Sequence, residues 1–418
     1  MDKDLQSIQE TRELLQQARK AQGILACMSQ GQLDKITAAI SAAAAEHARR
    51  LADMAVEETG FGRKADKELK NRFAALTLYD AIKDEKTHGI LAENPEKRVI
   101  DIGVPVGIVA GLVPSTNPTS TVIYKSMICM KAGNPIIFSP HPSAVNCILE
   151  TVNVVRRAAE SAGAPAGSIS CITTPTLEAT NTLMRHDFTR LILATGGGAM
   201  VKAAYSSGTP AIGVGAGNGP AYIHRTADVR QAVRRILDSK TFDNGTICAS
   251  EQSIVVERAM EAAVTAELRA QGAYILDDGE HRQLSRFILR PNGTMNPAIV
   301  GKSVETVARR FAAAVPASRV LVNTPASLGG IGATTCLFPA LTLGCGAVGG
   351  SSSSNNIGPL DLINIKRVAW GVRELEELRS GGRAGAAAPH SAGAGASHVV
   401  DERLLDELVS RIARRLSV

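Results

Sequence analysis

The residue of this chain best placed to do chemistry is a cysteine set in a clearing. Residues 242–257 read Phe-Asp-Asn-Gly-Thr-Ile-Cys-Ala-Ser-Glu-Gln-Ser-Ile-Val-Val-Glu, and the small residues Gly245, Thr246, Ala249 and Ser250 flank Cys248 on both sides. A thiol that attacks a carbonyl needs such room, because sulfur and carbonyl carbon must come within van der Waals distance along a defined line. A cysteine that only packs does not need it, yet most free cysteines are small buried hydrophobes. Local composition leaves both readings open, since reactivity depends on thiolate character. The apolar run at 254–256 reads as a buried strand.

The elements that must position this thiol follow from hydrophobic period and turn chemistry. Residues 4–86 carry apolar side chains at three- and four-residue steps, among them Leu14, Leu15, Leu33, Ile36, Ile40 and Leu51, and predict helices that act as scaffold, with Gly60 and Gly62 as a helix stop. From about residue 98 the pattern becomes strand, polar break, helix. Strands are expected at 107–113, 135–138, 168–172 and 190–194, with helices running to 131 and 161 and over 177–184. The breaks are Pro114-Ser-Thr-Asn-Pro118, Ser139-Pro-His-Pro142 and the triple glycine Gly196–Gly198. Alternation of this kind builds a parallel sheet with helices on both faces, and ligands bind beyond the carboxyl ends of its strands, where these breaks fall. A glycine run opening a helix exposes amide groups to which phosphate can come close, although such turns are common without one. A literal G-x-G-x-x-G at Gly344, Gly346 and Gly349 has no strand before it and no helix pattern after it, and is rejected as a dinucleotide fingerprint.

The 418 residues suffice for two or three domains with cores of their own. A net charge of +6 and an isoelectric point near 9.0 could suit nucleic acid, but the basic residues are dispersed and aromatics make up 3%, too few for stacking platforms. A mildly basic protein that binds polyanionic cofactors is the simpler reading. Seven cysteines without a C-x-x-C or clustered His/Cys spacing point to a reducing compartment and no structural metal. With no charged-then-apolar leader and no run approaching a membrane span, the expected location is cytoplasmic. Residues 380–398, rich in Gly, Ala and Ser, form a flexible linker. Beyond it, Leu404, Leu405, Leu408, Val409, Ile412 and Leu416 line one face of a helix over 399–418. Such a helix either folds back on its own chain or docks on a partner, and the linker's length favours the partner.

On Glu57-Glu-Thr-Gly-Phe-Gly62, residues 67–73, the two polar breaks, Gly213-Val-Gly-Ala-Gly-Asn218, Thr246-Ile-Cys-Ala-Ser-Glu251 and Ile363-Asn-Ile-Lys-Arg-Val-Ala369, the chain resembles the aldehyde dehydrogenase superfamily over about residues 20–376. Within it, the likeness is to the CoA-acylating branch of bacterial microcompartments. The resemblance implies an α/β fold with a Rossmann-type cofactor domain and a second, shortened α/β catalytic domain. The parts would be an N-terminal helical portion (1–90), an NAD-binding domain (91–223), a catalytic domain (224–355), a return segment (356–379), the linker, and an encapsulation-type helix at 399–418. It implies Cys248 as nucleophile, with the Asn117 side-chain amide and the Cys248 backbone amide as oxyanion donors. A purely structural Asn117, capping the helix that starts near Pro118, is the competing reading. NAD would rest on Pro114, Thr116, Ser139, Pro140, His141, Thr195, Gly196, Gly197, Gly198, Val214 and Gly215, with CoA as co-substrate and no metal.

Two departures shape the expected function. Hydrolytic relatives carry a glutamate base in a Glu-Leu-Gly-Gly-type turn, whereas residues 213–220 hold no carboxylate, so the resemblance implies transfer to a thiol in place of water. Relatives also have a longer stretch between the segments matching residues 296–302 and 319–325 than the residues 303–318 found here; what is lost includes strands and a glutamate that holds the nicotinamide ribose. The expectation is NAD-dependent oxidation of a short-chain aldehyde to acyl-CoA in a microcompartment lumen, by a homodimer or tetramer that meets shell or cargo proteins through 399–418. Its rival is a catalytically impaired relative serving as cargo or scaffold. An acyl-phosphate reductase is disfavoured by the tail and by the setting of Asn117. NAD against NADP stays open at His141, whose imidazole could tolerate a 2′-phosphate if partly charged, and Cys345 is a rival thiol in a glycine-rich loop.

Overall fold

In this computed structural model the described residues are 2–278 except 216, scattered positions between 281 and 303, and residues 327–328, 331–334, 336–343 and 355–369. Of the 303–318 stretch only Ser303 is described; Cys345, the Gly344–Gly349 motif, the 380–398 linker and the 399–418 helix lie outside the described residues. The chain opens with helices α1 (Lys3–Leu25), α2 (Gln30–Glu46), α3 (Ala48–Thr59) and α4 (Lys64–Arg72), then a π turn and the short α5 (Leu78–Ile82). Ser29 and Gln32 cap α2 reciprocally. Gly60 ends α3 in the left-handed conformation at φ 67°, as a helix-stop glycine should.

Five parallel strands form the central sheet: β3 (Ile108–Val113), β4 (Ile136–Pro140), β5 (Ile169–Cys171), β6 (Thr189–Thr195) and β7 (Ala211–Val214), in the order β5-β4-β3-β6-β7. They are joined by α6 (Pro118–Lys131), α7 (Val145–Ser161), α8 (Leu177–Arg185) and α9 (Gly198–Tyr205). Alternation along β3 sorts the core into two layers. Val109 and Val113 face the cluster built on α2, α6 and α7, while Ile108, Ala110 and Leu112 face the one built on α1, α8 and α9. Gly111 breaks the pattern because a Cβ there would lie 2.8 Å from the Phe138 ring. The order reverses between β3 and β6, so a crevice opens at their carboxyl ends.

Beneath that crevice α6 buries a lysine completely. Lys125 Nζ donates to the carbonyls of Leu112 (2.7 Å) and Leu193 (2.8 Å), tying the two strands where their directions of winding diverge. Burial pulls its pKa down to about 7, only partly opposed by the neighbouring Cys129. A neutral amine still supplies two N–H donors for two carbonyls.

Two smaller sheets complete the described fold. β1 (Gly89–Asn94), β2 (Val99–Pro105) and β10 (Ile363–Ala369) form an antiparallel sheet, with β10 paired along the whole of β2. β8 (Gly219–Ile223) and β9 (Glu251–Val256) pair in parallel and receive α10 (Val229–Thr241) and α11 (Glu261–Ala270) on one face. β8, at the end of the 91–223 unit drawn from sequence, thus lies with the strand that follows Cys248, and β1 and β2 stand apart from the parallel sheet. The run at 254–256 is a strand but not a buried one. Its paired neighbours Tyr222 and Val255 are 59% and 46% exposed, because among the described residues only the face bearing Ile223, Ile254 and Val256 is covered.

The Lys125 linkage has a fixed sign. Its folded pKa lies below the unfolded value, so between about pH 7 and 10.5 the unfolded chain holds the extra proton and stability rises with pH. We expect the denaturation midpoint of the wild type to climb from pH 7 to 8. In Lys125→Met that slope should be shallower by up to about 1.4 kcal/mol per pH unit; equal slopes would show that Lys125 does not titrate there.

Candidate active site

The residues expected at the cofactor cluster along one edge of the parallel sheet. Val113 pairs with Pro140, Leu112 with Ser139 and with Ala194, and Thr195 with Val214, so the carboxyl ends of β3, β4, β6 and β7 lie side by side. Pro114 and Thr116 follow β3, His141 follows β4, Gly196–Gly198 follow β6 and Gly215 follows β7. Not every side chain faces a ligand. Ser139 is buried with its hydroxyl on Thr180 (2.8 Å), and the Gly196 amide donates to the Val214 carbonyl (3.3 Å). His141 is exposed and its Nδ1 meets the Ser143 hydroxyl at 2.7 Å; desolvation lowers its pKa, so a neutral ring is favoured near pH 7 over the charged one that a 2′-phosphate would prefer.

This edge fits a dinucleotide. α9 begins behind Gly197 with no side chain capping it, and a Cβ at Gly197, Gly198 or Gly215 would meet nothing within 4 Å. Backbone amides are therefore open to phosphate, in the conformation that a helix start provides. Among the described residues the Thr195 hydroxyl, itself buried, has no hydrogen-bond partner, and it offers a polar contact there.

Asn117 and the loop that carries Cys248 come from different halves of the chain and meet at Thr246. Asn117 stands at the N-cap position of α6, yet its side chain makes no capping bond. Its Nδ2 donates instead to the Thr246 carbonyl (3.2 Å), two residues before Cys248, and to Thr116 Oγ1 (3.3 Å). Cys248 is exposed, whereas Cys129, Cys147 and Cys171 are buried thiols whose pKa burial pushes far up. Across from it runs the carboxylate-free segment 213–220: a Cβ on Gly217 would lie 2.2 Å from the Cys248 carbonyl oxygen.

The groups that hold this meeting together were not legible as site residues. α4, expected to be scaffold, delivers Lys67 and Lys70, each 2% exposed, onto the fully buried Asp243. Lys67 Nζ donates to Asp243 Oδ2 (3.1 Å) and to the Thr116 carbonyl (2.8 Å). Lys70 Nζ donates to Asp243 Oδ2, to Asn117 Oδ1 and to Thr246 Oγ1 (3.2 Å). Thr246 Oγ1 and the Arg63 amide also donate to Asp243, at 2.5 and 2.7 Å. Asp243 and Asn244 take left-handed φ values of 49° and 52°, a strain that these bonds over-determine. Burial alone would raise the Asp243 pKa, but Lys70 and Lys67 outweigh it and the carboxyl stays below its usual range. Burial, with Lys67 adding repulsion, lowers Lys70 to about 8. The signal available in sequence was the three-residue spacing that puts both lysines on one helix face.

A doubly wound sheet facing a second α/β unit that carries an accessible thiol defines the aldehyde dehydrogenase type of fold. Residues 5–325 match the aldehyde dehydrogenase family. The chain is 41% identical to the bifunctional aldehyde-alcohol dehydrogenase AdhE of Escherichia coli (strain K12), over 87% of this chain and 50% of that one. It thus spans about half the length of the curated relatives it matches first. That alignment runs over 442 positions, more than the chain possesses, so the relative holds residues that have no counterpart here. Among solved structures, a probable aldehyde dehydrogenase from Listeria monocytogenes EGD-e matches with TM-score 0.87 and 53% identity, over 91% of this chain and all of that one. An acetylating aldehyde dehydrogenase from Geobacillus thermoglucosidasius matches with TM-score 0.85 and 46% identity, over 90% and 99%. The chain belongs to the aldehyde dehydrogenase family, among its acylating members.

Two substitutions test the packing of the site. Asp243→Ala leaves two buried ammonium groups without their counter-ion and should cost about 3–5 kcal/mol of stability in a denaturant titration; a loss under about 1 kcal/mol would mean that water reaches the lysines. Gly217→Ala drives a methyl group to 2.2 Å from the Cys248 backbone carbonyl oxygen, so that loop must shift: the melting temperature should fall, and labelling of Cys248 by a thiol reagent, followed by mass spectrometry, should change in rate.

Proposed function

We propose that the chain oxidises a short-chain aldehyde of the acetaldehyde or propionaldehyde class to acyl-CoA through a thioester on Cys248, with NAD as acceptor. The observation that carries this reading is the Asn117 amide turned toward the backbone just before an exposed Cys248, whose own carbonyl lies against a segment without carboxylates. The Cys248 thiolate adds to the aldehyde carbon, and the carbonyl electrons move onto oxygen. The Asn117 amide stabilises that oxyanion by releasing one of its two N–H groups from Thr116 Oγ1 or the Thr246 carbonyl, on which both rest before substrate binds. When bound along the carboxyl edge of the sheet, NAD supplies the acceptor for the hydride that the adduct loses. The acyl group is then held on Cys248 as a thioester.

Water has no base to activate it in segment 213–220. The carboxylates nearest Cys248 in sequence are buried, Asp243 held by two lysines and Glu251 facing the charge of Lys240. The thiol of CoA therefore displaces Cys248 and carries the acyl group away. The open glycines at the start of α9 and the buried Thr195 hydroxyl support the nucleotide site. The lowered pKa of His141 leaves its ring less charge to offer a 2′-phosphate, which supports NAD over NADP. The amphipathic pattern of 399–418 behind its linker supports delivery to a microcompartment lumen, with shell or cargo proteins as partners.

A second reading, a catalytically impaired relative that serves as cargo or scaffold, draws on the positions that the 442-position alignment finds missing here. One assay separates the two. Short aldehyde, CoA and NAD should yield continuous NADH, NADP should serve less well, omission of CoA should leave at most one equivalent per site, and Cys248→Ala should abolish formation. A folded sample without turnover, whose binding to shell proteins depends on 399–418, would favour the scaffold.

A further inference from the structure

We infer that Lys70 is a positioning residue for the oxyanion site, holding the Asn117 amide with its N–H groups toward the loop that carries Cys248 and polarising it from behind. This rests on the dehydrogenase reading above. An ammonium group has no acceptor, so the end of the amide that meets Lys70 Nζ must be Oδ1, and the other end, Nδ2, then faces the Thr246 carbonyl, which can only accept. Without Lys70 only the Thr246 carbonyl, at 3.2 Å, is left to hold the amide that way round. The amide could turn its oxygen toward the reacting carbonyl, where it would repel the negative charge it is meant to stabilise.

The charge behind the amide is not cancelled. Facing Lys70 are Lys67 from its own helix, Asp66 from the same helix and Asp243 from the nucleophile loop; Arg63 lies 3.5 Å from Asp66. Three cations stand against two carboxylates, and an electron-withdrawing charge on the amide oxygen makes the opposite N–H a stronger donor. The same ammonium reaches Thr246 Oγ1, so one group fixes both the amide and the loop it faces. Lys67, bonded to the Thr116 carbonyl, fixes the backbone from which Asn117 projects but does not touch the amide.

The test is a double-mutant cycle on the full chain, reading NADH formation from acetaldehyde with saturating CoA and NAD. Lys70→Met should lower kcat and kcat/KM for aldehyde together by about 10²-fold, the scale of a lost oxyanion donor, with KM for NAD within about twofold. In an Asn117→Ala background the same change should cost less than about threefold, since no amide remains to position. Equal losses in both backgrounds would assign Lys70 a merely structural role and overturn the proposal. Should Lys70→Met fail to fold, Lys70→Gln, which keeps N–H donors but no charge, goes through the same cycle. A smaller loss with Asn117 present and none in Asn117→Ala supports the proposal, and equal losses overturn it. Wild-type protein that forms no NADH would remove the dehydrogenase reading itself, whereas active wild type with additive losses removes only the role of Lys70.

Discussion

One carboxylate, Asp243, organises the place where the halves of this molecule meet. It lies fully buried and accepts from the Arg63 amide, Lys67 and Lys70 of one stretch and from Thr246 of its own loop, while the two lysines reach on to Thr116 and Asn117 in the loop after β3. A buried ion pair is weak evidence for stability, because desolvation offsets much of the attraction. What it supplies is geometry: α4, the loop after β3 and the loop before Cys248 cannot shift independently without uncovering a charge. The left-handed backbone at Asp243 and Asn244 is tolerated on the same account, and Gly62 has no side chain because a Cβ would lie 2.0 Å from Asp243 Oδ1.

The parallel sheet solves a different problem. Its strands are nearly all apolar and buried on both faces, so the polar residues that separate them are expelled to the carboxyl edge. The crevice where strand order reverses is a property of connectivity and would exist whatever side chains lined it. Lys125 shows what it costs to keep that crevice in register: a lysine buried to the point of losing much of its charge, spent on two carbonyls that β3 and β6 turn toward it.

Much of this was readable from residue patterns. The strands at 107–113, 135–138 and 190–194 and the helices between them carried strong periodicity and turn residues, and the structure puts them within a residue or two of expectation, because tertiary packing and local preference agree there. The strand at 254–256 was found but its burial was not, since three apolar residues in a row do not reveal that one face of a two-stranded sheet is bare. The site divides in the same way. Cys248 and Asn117 stood out by type and setting. Lys67, Lys70 and Asp243 did not, because charged residues on a helix and in a turn ordinarily face solvent, and only the fold brings them together where water is excluded.

The pairing of β10 along the full length of β2 gives the architecture a latitude of its own. Between β7 and β10 the chain makes one long excursion that leaves from the parallel sheet and returns to strands laid down before that sheet began. Both ends of the excursion are therefore moored, and the entropy of closing such a loop grows only logarithmically with its length. Lengthening or trimming its interior leaves the moorings untouched, so the excursion can vary in length while the parallel sheet keeps its design.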